Sequence, residues 1–110
     1  MFMRVDTPHG PIEVAVGFNP RGAIAQVVVT KGTVESKAWL LEAVRSRALD
    51  GYAGLTPAAV EAQNLTHAPA LPGGMGTYRG KVGRMAAYML EQIGKGVGRA
   101  LVAYGWFYRP

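Results

Sequence analysis

Two stretches of this sequence carry residue types suited to holding a ligand. The first is Pro72-Gly73-Gly74-Met75-Gly76-Thr77. Its glycines, followed by apolar residues at helical spacing, predict a flexible loop that opens a helix. A helix N-terminus presents unpaired N–H groups and the positive end of the dipole, and glycines let a phosphate approach that backbone. Thr77 adds a hydroxyl, and Arg79 and Lys81 add positive charge close behind it. The chemistry is that of a phosphate cradle built on Gly74, Met75, Gly76 and Thr77, with Arg79 and Lys81 offsetting the charge. Neither G-x-G-x-x-G nor G-x-x-x-x-G-K-[ST] is present. The same residues also fit an ordinary loop with Thr77 as helix cap. The second stretch is Lys31-Gly32-Thr33-Val34-Glu35, just past an apolar run. Loops at sheet ends are common places for ligand contacts. Glu35 can accept a hydrogen bond from a ligand ring, or it can simply favour the dipole of a following helix.

Other chemistries find little purchase. There are no cysteines, which excludes disulfides and thiolate metal sites. His9 and His67 stand apart from any Asp or Glu cluster at metal-ligand spacing. No serine sits in a G-x-S-x-G elbow. Glu35, Glu42, Asp50 and Glu61 are scattered and suggest no acid–base pair.

The elements that must position these residues follow from hydrophobic periodicity. Residues 2–7 read as a strand, and Pro8-His9-Gly10-Pro11 as a turn. In the next run Ile12, Val14, Val16 and Phe18 alternate with Glu13, Ala15 and Gly17, the period of a half-buried strand. Asn19-Pro20-Arg21-Gly22 fits a type I turn. Residues 24–30, with Val27-Val28-Val29, predict a third strand that is central or covered on both faces. Ser36 can cap a helix whose apolar positions Leu40, Leu41, Val44 and Ala48 repeat through to Leu49. Thr56-Pro57 opens a short second helix, to about residue 63. Residues 64–74 form a loop.

The last helix has the strongest pattern. Val82, Met85, Ala86, Met89, Leu90 and Ile93 mark its sheet-facing side, while Arg79, Lys81 and Arg84 lie more exposed. Gly94, Gly96 and Gly98 predict either a bend or close packing against another element. The aromatic end, Tyr104-Gly105-Trp106-Phe107-Tyr108, is expected to dock on the sheet. The fold class is therefore α+β, an antiparallel meander packed against helices, with a long amphipathic helix near the end. With 110 residues, 49% hydrophobic and 17% charged, one folded domain over residues 1–110 is expected rather than disorder.

The order of these features resembles the FMN-binding domain family, which includes the flavin domains of the sodium-pumping NADH:quinone reductase C subunit and of the electron-transport complex G subunit. The resemblance rests on Gly10-Pro11-Ile12-Glu13-Val14-Ala15-Val16-Gly17-Phe18, a turn ending in Gly22, the apolar run that follows, and a loop bearing glutamate. It covers nearly the whole chain. It implies that Glu35 is the family's loop glutamate, near the ring end of a flavin. It also implies that Gly74-Met75-Gly76-Thr77 stands where the family has S-G-A-T. In the family that threonine can carry FMN through a phosphodiester bond. Here the E-T-P-G continuation is replaced by Glu35-Ser36-Lys37-Ala38, and the second hydroxyl residue by Arg79 or Gly80. The expectation is a small flavoprotein module of electron-transfer type that binds FMN noncovalently and serves a redox partner protein, rather than an independent enzyme.

The charge balance leaves two further classes open. The net charge is +5, and after Thr77 the bases Arg79, Lys81, Arg84, Lys95, Arg99 and Arg109 face one acid, Glu91. Such a segment suits a phosphate-bearing partner: a small molecule, nucleic acid or an anionic surface. The basic and aromatic Trp106-Phe107-Tyr108-Arg109 end has the composition for stacking and phosphate contacts, although burial of those rings is the simpler reading. A cofactor-free structural or partner-binding module of the same fold is the other alternative. No apolar run is long enough to span a bilayer. With Met1 as the start, no signal peptide is visible and a soluble, cytoplasmic protein is expected; a trimmed start would be compatible with an extracytoplasmic one.

Overall fold

A computed structural model describes residues 1–58 and 83–107. Three strands form one antiparallel sheet in the order β1 (Phe2–Thr7), β2 (Gly10–Phe18), β3 (Ile24–Lys31). Both turns follow from local chemistry. Thr7 pairs with Gly10, and the Thr7 hydroxyl donates to the Gly10 carbonyl while accepting the His9 N–H. Gly10 has φ +103°, and a Cβ there would run into the Thr33 side chain, so glycine is required twice over. In the second turn the Asn19 side-chain oxygen accepts the N–H groups of Arg21 and Ala23, and Gly22 N–H closes on the Asn19 carbonyl.

The alternation in β2 sorts its two faces as expected. Ile12, Val14 and Val16 are fully buried with Val5 and Ile24, and Val27 is buried beside them. The opposite face carries Phe2, Arg4, Asp6, Val28 and the Glu13–Thr30 hydrogen bond, all exposed or half-exposed. β2, not β3, is the central strand. The apolar run Val27-Val28-Val29 suggests burial on both faces, yet β3 lies at the edge and Val28 is exposed.

Helix α1 (Lys37–Arg45) is shorter than its apolar repeat suggests. The Ser46 hydroxyl donates to the Ala43 carbonyl at 2.6 Å and accepts the Ala48 N–H, offering the backbone an alternative to a further turn. Arg47 then adopts a left-handed conformation (φ 64°), and Ala48–Tyr52 continues as a 3-10 helix. Leu40 and Ala43 face the core, whereas Leu41 and Val44 are nearly half exposed. Pro57 and Ala58 are helical, as their Thr-Pro start predicts.

The last helix, α2 (Arg84–Phe107), buries Ala86, Met89, Leu90, Ile93, Val97, Ala100 and Leu101 against β1, β2 and α1. Met85 is only half-buried and Arg84 is exposed. The glycines do not break it. A Cβ on Gly96 would stand 3.0 Å from Val5 Cγ2, so glycine there lets the helix backbone lie directly on the sheet. Tyr104 stacks on Phe18 with centroids 4.0 Å apart, docking this end on the sheet. Trp106, 72% exposed, does not bury with it. No helix among the described residues is long and apolar enough to cross a membrane.

Candidate functional site

The loop after β3 is held by hydroxyl groups. Ser36 occupies the N-cap position of α1, but its hydroxyl turns away from the helix. It accepts the Thr33 N–H at 3.0 Å, while Thr33 Oγ1 accepts the Ser36 N–H. The Thr33 hydroxyl donates to the His9 carbonyl at 2.9 Å, tying this loop to the first turn of the meander. Ser36 is fully buried, so the arrangement is rigid rather than solvent-shared.

That tie brings Glu35 to His9. The imidazole Nδ1 lies 2.8 Å from Glu35 Oε1, which fits Nδ1–H donating to the carboxylate and fixes the ring's orientation. The ring sits edge-on to Trp39 (5.0 Å between centroids) and Tyr88 (5.9 Å). All three rings are half-buried. The result is an aromatic corner with one carboxylate at its rim, formed by the first turn, the β3–α1 loop, α1 and α2. Such a corner can stack a flat ring and accept a hydrogen bond from it.

α2 enters beside this corner. Gly83 N–H donates to Glu42 Oε2 at 2.7 Å, fixing the helix start to α1. A carboxylate at a helix N-terminus also complements the dipole. α2 begins at Arg84, with Gly83 just outside the helix. Gly74, Met75, Gly76, Thr77, Arg79 and Lys81 themselves lie outside the described residues. Of the sequence-derived site residues, Glu35 is therefore the one that can be placed.

A second feature lies on the other side of α1. That helix packs on α2 and on the 3-10 helix and hardly touches β3. Two adjoining clefts, of about 510 and 440 Å3, run along the gap. Val29 and Val44 line both. Lys31, Lys37, Leu40 and Leu41 line the larger, and Val28, Leu49 and Asp50 the smaller.

Sequence reasoning missed His9, Trp39 and Tyr88. The signal for His9 lay in the topology: residues just before β2 and just after β3 must meet at one end of an antiparallel pair. Trp39 and Tyr88 gave no signal beyond being aromatic. Among the described residues no group of three or more His, Asp or Glu side chains is arranged to hold a metal ion. No family model, curated protein or solved structure matches the chain.

Proposed function

We propose that this chain is a small ligand-binding module whose ligand joins a flat ring system to a phosphate, with FMN, held noncovalently, as the specific candidate. The carrying observation is that Glu35, the glutamate singled out by the resemblance, sits on an aromatic corner made by His9, Trp39 and Tyr88. Half-exposed rings suit stacking, and a carboxylate suits a ring N–H donor. The phosphate would fall to Gly74, Met75, Gly76 and Thr77, with Arg79 and Lys81 offsetting its charge. α2, which follows that segment, reaches Tyr88 about 6 Å of helix rise after its first residue, Arg84. When bound, FMN would supply the redox chemistry and the protein would supply binding and orientation for a partner in electron transfer.

Titration of FMN into the purified protein, followed by flavin fluorescence, tests this reading. Saturable quenching is expected, weakened by Trp39→Ala and by Glu35→Gln, with the flavin released on denaturation. A colourless protein that leaves flavin fluorescence unchanged at high micromolar concentration overturns it. The cofactor-free, partner-binding reading is favoured by a separate observation: Leu41, Val44 and Val28 stand exposed along the cleft beside β3.

A further inference from the structure

The edge of β3 offers the other notable surface. Its first residue is already satisfied: Ile24 N–H donates to the Leu55 carbonyl and its own carbonyl accepts the Gly54 N–H, both at 2.8 Å. Beyond it, no further backbone partner for β3 other than β2 is found among the described residues. Irregularities at both ends of the β2–β3 ladder leave residues 26–29 in regular register with β2. An edge without a partner strand among the described residues is a template for another strand. The outward row is not flanked by bare solvent. The larger cleft runs beside its end under α1, with Val29, Leu41 and Val44 as apolar lining, and the smaller runs beside residues 25–29 against Leu49 and Ala53 of the 3-10 helix region. Pockets for alternate side chains next to an open edge are what strand addition needs.

Charge fixes the direction and the chemistry of the guest. Lys31 and Lys37 both line the cleft at the end where β3 finishes. Neither forms an ion pair among the described residues, and the neighbouring Glu35 is engaged by His9. The one acid in the groove, Asp50, lies at the opposite end and is paired with Arg47. The groove is thus cationic at one end, with Val29, Leu40, Leu41, Val44 and Leu49 supplying apolar lining along it.

We propose that this groove binds an extended, apolar peptide ending in a free C-terminal carboxylate. The peptide adds to β3 as a parallel fourth strand, seats alternate side chains between β3 and α1, and places its carboxylate between Lys31 and Lys37. The inference does not depend on flavin binding, which concerns the opposite flank of α1.

The probe is a dye-labelled hexapeptide of alternating valine and threonine, as free acid and as C-terminal amide, followed by fluorescence anisotropy. Saturable binding of the acid is expected. Amidation and Lys37→Ala should each weaken it by about tenfold. Val44→Glu should abolish it while circular dichroism stays unchanged, since Val44 is already exposed. Phe2→Glu, on the open face of the sheet, should leave it intact. Bound peptide should slow amide exchange at residues 26–29. The proposal is overturned by equal affinity for acid and amide, or by protection that avoids β3. It is also overturned if decanoate occupies the groove and the peptide does not, or if the chain alone self-associates through this edge.

Discussion

The two flanks of the sheet are covered in different ways. Over β1 and β2, α2 lies so close that a single Cβ at Gly96 would press on Val5, and Met89, Ile93 and Val97 are wholly buried. Beside β3, α1 stands off, leaving clefts and leaving Leu41 and Val44 nearly half exposed. The same kind of apolar helix thus serves two ends. Where glycine lets backbone meet sheet, the chain builds its stability. Where larger residues line a gap, it leaves room. If the contrast is real, substitutions of similar size on the two helices should differ several-fold in cost.

The largest effect belongs to the dense flank. Ile93→Ala removes a fully buried side chain from between helix and sheet and should cost about 2–5 kcal/mol in urea denaturation. A loss below about 1 kcal/mol would mean that α2 does not carry the core, and the comparison would fail at its stronger end.

Much of the dense flank was legible in sequence. Residues 12, 14, 16 and 18 alternate because one face of β2 meets the core, and the helical repeat from Ala86 to Leu101 fits one buried stripe. The looser flank was not. Val27-Val28-Val29 looks like a central strand because composition records apolarity and not neighbours, and only the sheet order makes β3 an edge. The end of α1 depends on a serine hydroxyl bonding back to Ala43, a choice that periodicity does not register. Glu35 was visible as a candidate, but its partner His9 lies 26 residues away and is brought near only by the meander. The glycine-rich stretch at 74–77 remains a reading of residue types.

A smaller effect sharpens the picture of the β3 flank, which is not uniformly loose. Tyr52, in the 3-10 helix, is buried, and burial pushes its phenol pKa up to about 12 from 10.0. Below pH 10 both folded and unfolded chains hold the phenol proton. As pH rises from 10 towards 12 the unfolded chain releases it and the folded chain keeps it. Stability contributed by the neutral phenol is therefore lost with rising pH, at up to about 1.4 kcal/mol per pH unit. Denaturation midpoints of the native protein and of Tyr52→Phe, compared from pH 9 to 12, should diverge, with the phenylalanine variant less sensitive to alkali. Parallel curves would mean that the tyrosine is not held out of water and that the loose region extends under the 3-10 helix.

The smallest effect is the most diagnostic. Leu41 sits on the opposite side of the contrast from Ile93: also a large aliphatic residue on a helix, but 45% exposed beside an unfilled cleft. Truncation to alanine there removes contacts that water already shares, and exposed substitutions typically change stability by about 0.5 kcal/mol or less. Leu41→Ala should therefore leave the urea midpoint almost unchanged while weakening the valine–threonine peptide in the anisotropy assay. Stability and binding would then be separable on this helix. A destabilisation of about 2 kcal/mol would show instead that Leu41 is packed in solution, that the gap between α1 and β3 is closed, and that the clefts offer no room for a guest. A neutral result in both assays would keep the loose flank but remove Leu41 from the groove, leaving Val44 and Val29 as its apolar floor. The pair Ile93→Ala and Leu41→Ala thus tests one physical claim from both ends: in this chain a helical aliphatic side chain stabilises the fold in proportion to how far the sheet, rather than water, surrounds it.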